Sequence, residues 1–355
     1  MIRWREGRVV KVTARRTGAV ELLVSTAEGE LAALAYPELV GEPVAGDRVL
    51  LNTTAVALDL GTGGFALVIA IPDRLPADHE EPGHIVKARY TPLQATVLAV
   101  DEQDSSHHEI LREADDLAGM PVVVADLHSA LPAIIAGLRM DGRSPRVVYV
   151  MTDGGALPLG LSRSVDGLRS AGWLDACVTV GQAYGGDVEA VTPHTGLLAA
   201  RLVLDADVAV VTQGPGNLGT GTRWGFSGVA SGEAINAVAA LGGRPVAALR
   251  LSEVDPRARH RGVSHHSLTS LGRVALAPAE VAVPRIDSDF GAHVREVATV
   301  LSPPHRLVDV DVDGVLAALE GSPVPLSSMG RTLADDPWYF VGCAVAGRHA
   351  ATLLP

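Results

Sequence analysis

The chain has 355 residues, a formal net charge of −12 and 47% apolar residues, but only 4% aromatic residues. This acidity argues against a general binder of nucleic acid or of a membrane surface. With so few aromatic residues, the core must consist mainly of Ala, Val and Leu, a composition typical of closely packed α/β layers. The amino terminus lacks the apolar core of a signal peptide, and no apolar stretch is long enough to cross a bilayer. We therefore expect a soluble cytoplasmic protein.

The amino-terminal part of the sequence alternates short β-type runs with turns. The runs lie at residues 8–13, 20–25, 30–35, 48–53 and 65–71, and glycines separate them. No convincing helix interrupts this pattern. We predict a small, barrel-like, antiparallel all-β domain over residues 1–75, followed by a proline-containing linker over residues 76–92.

From residue 93 to residue 355, strands and helices alternate, which predicts a large three-layer α/β domain with a mainly parallel, Rossmann-like sheet. The predicted strands are residues 95–100, 121–125, 146–151, 174–180, 207–212, 245–250, 279–284 and 306–311. Ser106 and Glu109 form a predicted capping box for the helix after the first of them. An apolar helix over residues 336–353 is expected to cover the sheet edge or a dimer interface, so a homo-oligomer is one expected state. Cys177 and Cys343 have apolar neighbours and are predicted to be buried free thiols.

Polar residues follow the predicted strands, whereas simple turn residues precede them. The segments that leave the strands are residues 101–104, 126–129, 152–155, 181–187, 214–222 and 250–255. In an open parallel sheet these carboxyl-end loops share one edge, which is where ligands bind. Because loops are polar in general, an ordinary solvated edge is the alternative.

A glycine-dense loop follows the strand at 207–212 and precedes a predicted helix at 228–241. Its residues Gly214, Gly216, Gly219, Thr220 and Gly221 can turn backbone N–H groups toward an anion. The loop matches G-x-G-x-x-G, but the helix does not begin at the third glycine. An acidic residue about twenty positions further on, as a ribose partner, is also missing. A dinucleotide site is therefore the weaker interpretation, and a purely structural loop is also open.

A basic cluster lies between residues 257 and 267 and contains Arg257, Arg259 and Arg261. Arginine guanidinium groups bind phosphate or carboxylate through two hydrogen bonds, so these three side chains are predicted to bind the same anion. The alternative is a solvated basic loop that pairs with the protein's own carboxylates. The adjacent residues His265 and His266 point in different directions, so at most one of them readily serves a given site.

Proton transfer is assigned to Asp153, Asp187 and His265, which lie in the same set of loops or in the basic cluster. Asp126 and His128, in Asp-x-His spacing, are candidate ligands of a divalent metal ion. No diagnostic zinc spacing is present, so a metal-free site is the stronger alternative and the cofactor is left unassigned.

Several segments together resemble a family of uncharacterised bacterial proteins, domain-of-unknown-function family 3866. They are HIVKARYTP (84–92), VMTDG (150–154), GQAYGGD (181–187), QGPG (213–216), GTGT (219–222) and RHRGVSHH (259–266). The resemblance implies a cytoplasmic bacterial protein. It implies no reaction, cofactor or catalytic residue.

These features favour an enzyme that acts on a small anionic, phosphorylated metabolite at the carboxyl ends of parallel strands. The expected partner is a small-molecule anion, with no membrane and no nucleic acid. A non-catalytic ligand-binding or regulatory protein is the alternative, because the same residues can bind without reacting. An NAD(P)-dependent oxidoreductase is the weaker alternative.

Overall fold

The computed structural model describes residues 2–60, 63–78 and 82–354. Its amino-terminal strands close into a barrel in the order β1-β2-β3-β5-β4, which confirms the predicted all-β unit. One pair departs from the predicted antiparallel arrangement, since β3 and β5 run parallel. Two one-turn helices, α1 and α2, connect these strands. The bounds are β1 (Trp4–Arg16), β2 (Ala19–Thr26), β3 (Gly29–Ala35), α1 (Pro37–Val40), β4 (Arg48–Asn52), α2 (Thr54–Ala57) and β5 (Ala66–Ala70).

The barrel contacts the rest of the chain through a buried carboxylate. Glu21 of β2 accepts hydrogen bonds from Arg163 over 2.7 and 2.9 Å and pairs with Arg16 of β1. Arg16 in turn donates to the carbonyl of Gly160 over 2.9 Å. Burial raises the pKa of Glu21, but the two arginines outweigh it and lower the pKa overall. Glu21 therefore joins the two parts of the chain as a charged group.

The run at 95–100 was predicted to begin the large sheet, and this prediction is wrong. Residues Ala95–Val97 form β7, which pairs with β6 (Ile85–Lys87) in an antiparallel hairpin. Ala99 makes only an isolated bridge to Glu189. The amide of Ala99 donates to the Glu102 carboxylate over 2.6 Å. It is therefore not available to extend strand pairing with the large sheet.

The helix after this run is also shorter than predicted. It forms the single turn α3 (His108–Leu111), and no side chain caps it. Ser105 accepts from the backbone amide of His107 instead of the predicted Ser106 capping box.

Most of the predicted parallel strands are present, which confirms the α/β class. One sheet has the order β11-β10-β9-β12-β8-β13-β16-β17, and all of its pairs are parallel. Two antiparallel hairpins, β14-β15 and β18-β19, lie outside it. The bounds are β8 (Pro121–Val124), β9 (Val147–Thr152), β10 (Ala176–Val180), β11 (Val188–Ala190), β12 (Val208–Gln213), β13 (Arg244–Ala248), β14 (Leu251–Ser252), β15 (Gly262–Val263), β16 (Glu280–Arg285), β17 (Arg306–Asp311), β18 (Ser327–Ser328) and β19 (Arg331–Thr332).

Helices cover both faces of this sheet. Buried residues of α4, α5, α10 and α11 pack on one face, and those of α6, α7 and α9 pack on the other. None of the helices within the described ranges is both long and apolar enough to span a bilayer. Their bounds are α4 (Leu131–Leu138), α5 (Arg163–Ser170), α6 (Pro193–Leu202), α7 (Ala230–Ala240), α8 (His265–Thr269), α9 (Asp289–Ala298), α10 (Val315–Glu320) and α11 (Pro337–Ala351).

The strand order places a crevice between β8 and β12. The chain leaves β8 for α4 on one face and leaves β12 for α7 on the other, while β8 and β12 are neighbours. Connections that diverge in this way open a gap at the carboxyl ends of the two strands, where ligands bind in α/β folds.

Helix α11, predicted to cover the sheet edge or a dimer interface, does not lie at the sheet edge. It packs across the face of the sheet against α4, with most of its residues buried. Two glycines permit this contact. A Cβ on Gly347 would lie 2.0 Å from the carbonyl oxygen of Ile134, and one on Gly137 would lie 1.9 Å from that of Ala344. The helices therefore touch backbone to backbone.

We expect Gly347→Ala to lower the free energy of unfolding by about 1–3 kcal/mol, because the added methyl group must push α4 and α11 apart. Gly321→Ala is the matched control. Its Cβ would meet nothing closer than 3.5 Å, and we expect a change within about 0.5 kcal/mol. Urea denaturation of both variants measures the difference. Equal stabilities would show that the helices do not approach so closely.

Cys177 and Cys343 are free and buried, as predicted. Burial raises the pKa of both thiols, to about 12 for Cys177. Neither is therefore a nucleophile at neutral pH.

Candidate functional site

The β14-β15 hairpin places the basic cluster above the carboxyl ends of the central strands. β14 begins shortly after β13 ends, and β15 leads directly into α8. The two ends of the hairpin are tied together, because the amide of Ser264 donates to the carbonyl of Arg250 over 2.9 Å. The amide of Arg250 donates to Ser267 Oγ over 2.9 Å. Residues far apart along the chain therefore meet Asp126 at the end of β8.

Asp126, Arg250 and His266 form a buried polar cluster at this edge. Arg250 Nη1 and His266 Nδ1 each lie 3.5 Å from Asp126 Oδ2. Arg250 Nη1 also donates a hydrogen bond to His266 Nδ1 over 3.0 Å. Burial raises the pKa of Asp126, but His266 and Arg250 outweigh it and lower the pKa overall. The carboxylate is therefore charged, and its Oδ2 has no hydrogen bond to any described residue.

Three imidazole rings meet next to this cluster. The ring centroids of His260, His265 and His266 are 4.5 to 4.9 Å apart, and one ring nitrogen of each lies within 4.8 Å of the others. Phe226 stacks on His266 at 3.8 Å with an interplanar angle of 5° and holds that ring in place. His265 Nε2 is buried without a hydrogen-bond partner in the described part of the chain.

Burial keeps two of these rings neutral. It is the largest cause that lowers the pKa of His260 to about 3 and that of His265 to about 4, and neighbouring positive charges act in the same direction. A histidine with so low a pKa is a weak general base at neutral pH. The predicted proton-transfer role of His265 is thus disfavoured, whereas a neutral imidazole suits metal ligation.

A groove of about 590 Å³ opens beside His265, and three arginines line it. Arg223 comes from the loop after β12, Arg259 from the β14-β15 hairpin, and Arg273 from a π-helical turn over Ser270–Val274 that continues α8. None of the three forms an ion pair with a residue in 2–60, 63–78 or 82–354. In a chain with a net charge of −12, this local excess of positive charge favours an anionic ligand.

The crevice between β8 and β12 is narrow and polar. Gln213 Nε2 donates to the carbonyl of Asp126 over 2.7 Å and to Asn217 Oδ1 over 3.0 Å. Gln213 Oε1 is buried without a partner among the described residues. It borders a cavity of about 10 Å³, which is close to the smallest space that holds one water molecule. The crevice is too small for a metabolite, so the groove is the candidate binding site.

The structure places the predicted glycine-loop residues in different surroundings. A Cβ on Gly214 would lie 2.3 Å from the carbonyl oxygen of Ala156, so this glycine allows two loops to pack backbone to backbone. Gly219 and Thr220 pair with Phe226 and Gly225 in a tight exposed turn. Gly216 has a φ of +91° and no neighbour within 4 Å of a built Cβ. Of the predicted loop residues, Gly221 lines the groove, with its built Cβ 3.7 Å from Arg259.

Two of the three predicted arginines also have structural partners. Arg257 binds the buried Asp255 carboxylate through two hydrogen bonds of 2.9 Å, and Arg261 donates to the Asp255 carbonyl over 2.8 Å. Arg257 thus pairs with a carboxylate of the protein, as the alternative expects, whereas Arg261 has a backbone carbonyl as its partner. Arg259 alone among them faces the groove.

Asp153 and Asp187 are not brought to the groove. Asp153 Oδ2 accepts from the amide of Gln182 over 2.8 Å, in the loop after β10. Asp187 binds Arg169 and accepts from the amide of Cys177 near the amino end of β10, which is the opposite edge of the sheet. Both carboxylates stabilise loops in this structure.

The predicted metal pair of Asp126 and His128 is not formed either. His128 Nδ1 lies 2.9 Å from the Tyr149 hydroxyl, and its Nε2 lies 2.7 Å from Ser162 Oγ. Both ring nitrogens are therefore occupied by hydrogen bonds. Asp126 contacts His266 and Arg250 instead.

A wider cleft of about 1100 Å³ lies between α1, residues 92–107 and the segment that leads into β11. Two of its carboxylates are paired, since Glu189 lies 3.1 Å from the buried Lys87 ammonium and Asp187 binds Arg169. Glu38 and Asp78 also line it and form no ion pair with a described residue. The unpaired charges of this cleft are therefore negative, and the arginine groove suits an anion better.

Acid should destabilise the fold through His128. Burial lowers the pKa of His128 to about 4, whereas an unfolded histidine titrates near 6.5. The unfolded chain therefore binds more protons between these values, and stability falls as the pH drops from 6.5 toward 4. From this group alone we expect a loss of about 2 kcal/mol between pH 7 and pH 5.

Urea denaturation of the wild type and of His128→Gln at both pH values checks this expectation. The variant lacks the titrating ring, so its stability should depend less on pH by about that amount. An identical pH dependence of the two proteins would contradict a neutral buried His128.

Five residues of this site were given no role from the sequence: Arg223, Arg250, His260, His266 and Arg273. Arg250, His260 and His266 lie in or next to the segments that the sequence singles out. The high density of arginine and histidine there, in an acidic chain, could have indicated their role. Arg223 and Arg273 carry no local signal, because only the fold brings them to Arg259.

A model of the family DUF3866, described as proteins of unknown function, matches residues 32–347. The chain belongs to this family. Every residue of the groove and of the histidine cluster lies within the part that matches DUF3866. The resemblance noted in the sequence is thereby confirmed. Searches of curated proteins and of solved structures found no match.

Proposed function

We propose that this DUF3866 protein is an enzyme that acts on a small anionic, phosphorylated metabolite bound in the arginine groove. The observation that carries the proposal is the set of exposed arginines Arg223, Arg259 and Arg273 without ion-pair partners among the described residues. A cluster of this kind repels itself unless an anion neutralises it. The volume of about 590 Å³ falls in the range of metabolite pockets.

The groove also supports a division of roles. The arginine guanidinium groups bind phosphate oxygens through charge-assisted hydrogen bonds. Leu268 and Leu301 supply an apolar wall for the rest of the metabolite. His265 also lines the groove, but its Nε2 is buried and is not offered to the bound metabolite.

A thermal-shift screen tests the proposal with matched pairs, each a phosphorylated metabolite and its dephosphorylated form. We expect some phosphorylated compounds to raise the melting temperature of the wild type, and their neutral counterparts to have no effect. Arg259→Gln should reduce the shift. If no anionic compound stabilises the wild type, or if Arg259→Gln responds equally, the proposal is wrong.

A non-catalytic ligand-binding or regulatory protein is the second candidate. It is favoured by the positions of Asp153 and Asp187, which lie away from the groove and leave it without a carboxylate base from the predicted set. Incubation of a screening hit with the protein, followed by NMR, separates the two candidates. Conversion of the ligand supports the enzyme, and unchanged ligand with retained binding supports the second candidate.

A further inference from the structure

We infer that His260, His265 and His266 form a binding site for a divalent transition-metal ion of the zinc class, with Asp126 as a positioning residue. Three imidazoles are a ligand set that zinc uses at sites with an open fourth position. The inference goes beyond the proposed function, because it concerns a cation and depends on no phosphorylated ligand.

The ring geometry supports a shared ion. One nitrogen of each histidine lies within 4.8 Å of the others. Zinc holds each nitrogen at about 2.0–2.1 Å, so its ligands lie at most about 4.2 Å apart. Small rotations of the rings close the remaining gap. His265 Nε2 is already buried without a partner in the described residues, which is costly unless something binds it.

The hydrogen bonds around the rings favour Nε2 as the ligand atom in each case. Ser264 Oγ accepts a hydrogen bond from the amide of His266 and lies 2.7 Å from His260 Nδ1. It can therefore also accept a hydrogen bond from a protonated His260 Nδ1. A proton on Nδ1 leaves the lone pair of His260 Nε2 free. Ser264 is fully buried, which holds this ring in one orientation.

His266 needs one rearrangement. Without a metal ion, its Nδ1 accepts from Arg250. With Nε2 on a cation, Nδ1 would carry the proton and donate a hydrogen bond to Asp126 Oδ2, which is now 3.5 Å away and has no hydrogen bond to a described residue. A carboxylate that accepts from the second nitrogen of a ligating histidine is the usual outer partner of zinc sites. Asp126 is therefore predicted to tune the metal affinity without touching the ion.

Two of the arginines near the histidines are neutralised by carboxylates, Arg250 by Asp126 and Arg257 by Asp255. Arg259 and Arg261 have no carboxylate partner among the described residues. Arg259 belongs to the anion groove, and Arg261 donates to the Asp255 carbonyl. A cation at the histidines would thus add to the positive end of the same groove.

The test is a zinc titration of full-length, metal-stripped protein in competition with a chromophoric chelator, without any organic ligand. We expect the wild type to bind one Zn²⁺ per chain. Asp126→Asn should weaken binding about 10- to 100-fold, as loss of an outer partner does, and His265→Ala should weaken it further. His194→Ala, at an exposed histidine on α6, is the control and should bind like the wild type. Circular dichroism checks that each variant is folded.

Cobalt gives a second readout, on the wild type and on His265→Ala. Co²⁺ in place of zinc should show the intense visible absorption of a four- or five-coordinate site, and His265→Ala should lose it. Equal zinc affinity in the wild type and His265→Ala would overturn the inference, as would loss of binding in His194→Ala or a colourless cobalt protein. The titration contains no phosphate compound. A negative zinc result would therefore leave the proposed anion site untouched, and the thermal-shift screen tests that site separately.

Discussion

Arg250→Met should lower the free energy of unfolding by about 3–5 kcal/mol, the usual cost of leaving a buried charge without its partner. Asp126 is 8% exposed and Arg250 is 5% exposed, and among the described residues only Arg250 and His266 offset the burial of the Asp126 carboxylate. Methionine fills a similar volume, so the loss is mainly electrostatic. Urea denaturation at pH 7 measures the effect.

Two controls separate this charge effect from a general effect of losing an arginine. Arg259→Met removes an exposed, unpaired arginine, and we expect a change within about 0.5 kcal/mol. The double variant Asp126→Asn with Arg250→Met removes both buried charges and should recover part of the stability. A double variant as unstable as the sum of its parts would contradict the pairing.

Arg259→Gln should weaken binding of inorganic pyrophosphate, used as a simple probe of the groove. A hydrogen bond to a charged group contributes about 1.5–3 kcal/mol, so we expect the Kd to rise about 10- to 100-fold. Adding Arg273→Gln should weaken binding further, because both side chains line the same groove. Isothermal titration calorimetry at constant ionic strength measures both steps.

Arg257→Gln is the matched control, since it lies two residues away but binds Asp255. Arg331 still pairs with Asp255 over 2.9 Å in that variant, so the loop should stay in place and pyrophosphate affinity should be unchanged. If Arg257→Gln and Arg259→Gln weaken binding equally, the groove is not the anion site.

The general architecture could be predicted because apolar patterning reports burial directly. The runs at 121–125 and 207–212 are continuous and β-branched, as strands covered on both faces require, and they became the neighbours β8 and β12. The run at 95–100 has the same composition. It failed to join the sheet because Glu102 takes the amide of Ala99, a contact that patterning does not reveal.

The site was harder to predict because neighbouring residues of one type have different partners. Arg257, Arg259 and Arg261 are equivalent in the sequence, yet Asp255 binds Arg257 and Arg261 and leaves Arg259 without a partner in the described part of the chain. The sequence predicts that Gly214 binds an anion. In the structure, a glycine is required at this position because the carbonyl of Ala156, on another loop, leaves no room for a Cβ atom. Such distinctions depend on tertiary contacts.

A crystal structure of the protein soaked with tungstate, a heavy analogue of phosphate, would show directly whether the arginine groove binds an anion. We expect anomalous density in the groove, within hydrogen-bond distance of Arg259 and of Arg223 or Arg273. Density on the backbone amides of residues 214–220, or no density at saturating tungstate, would contradict this expectation.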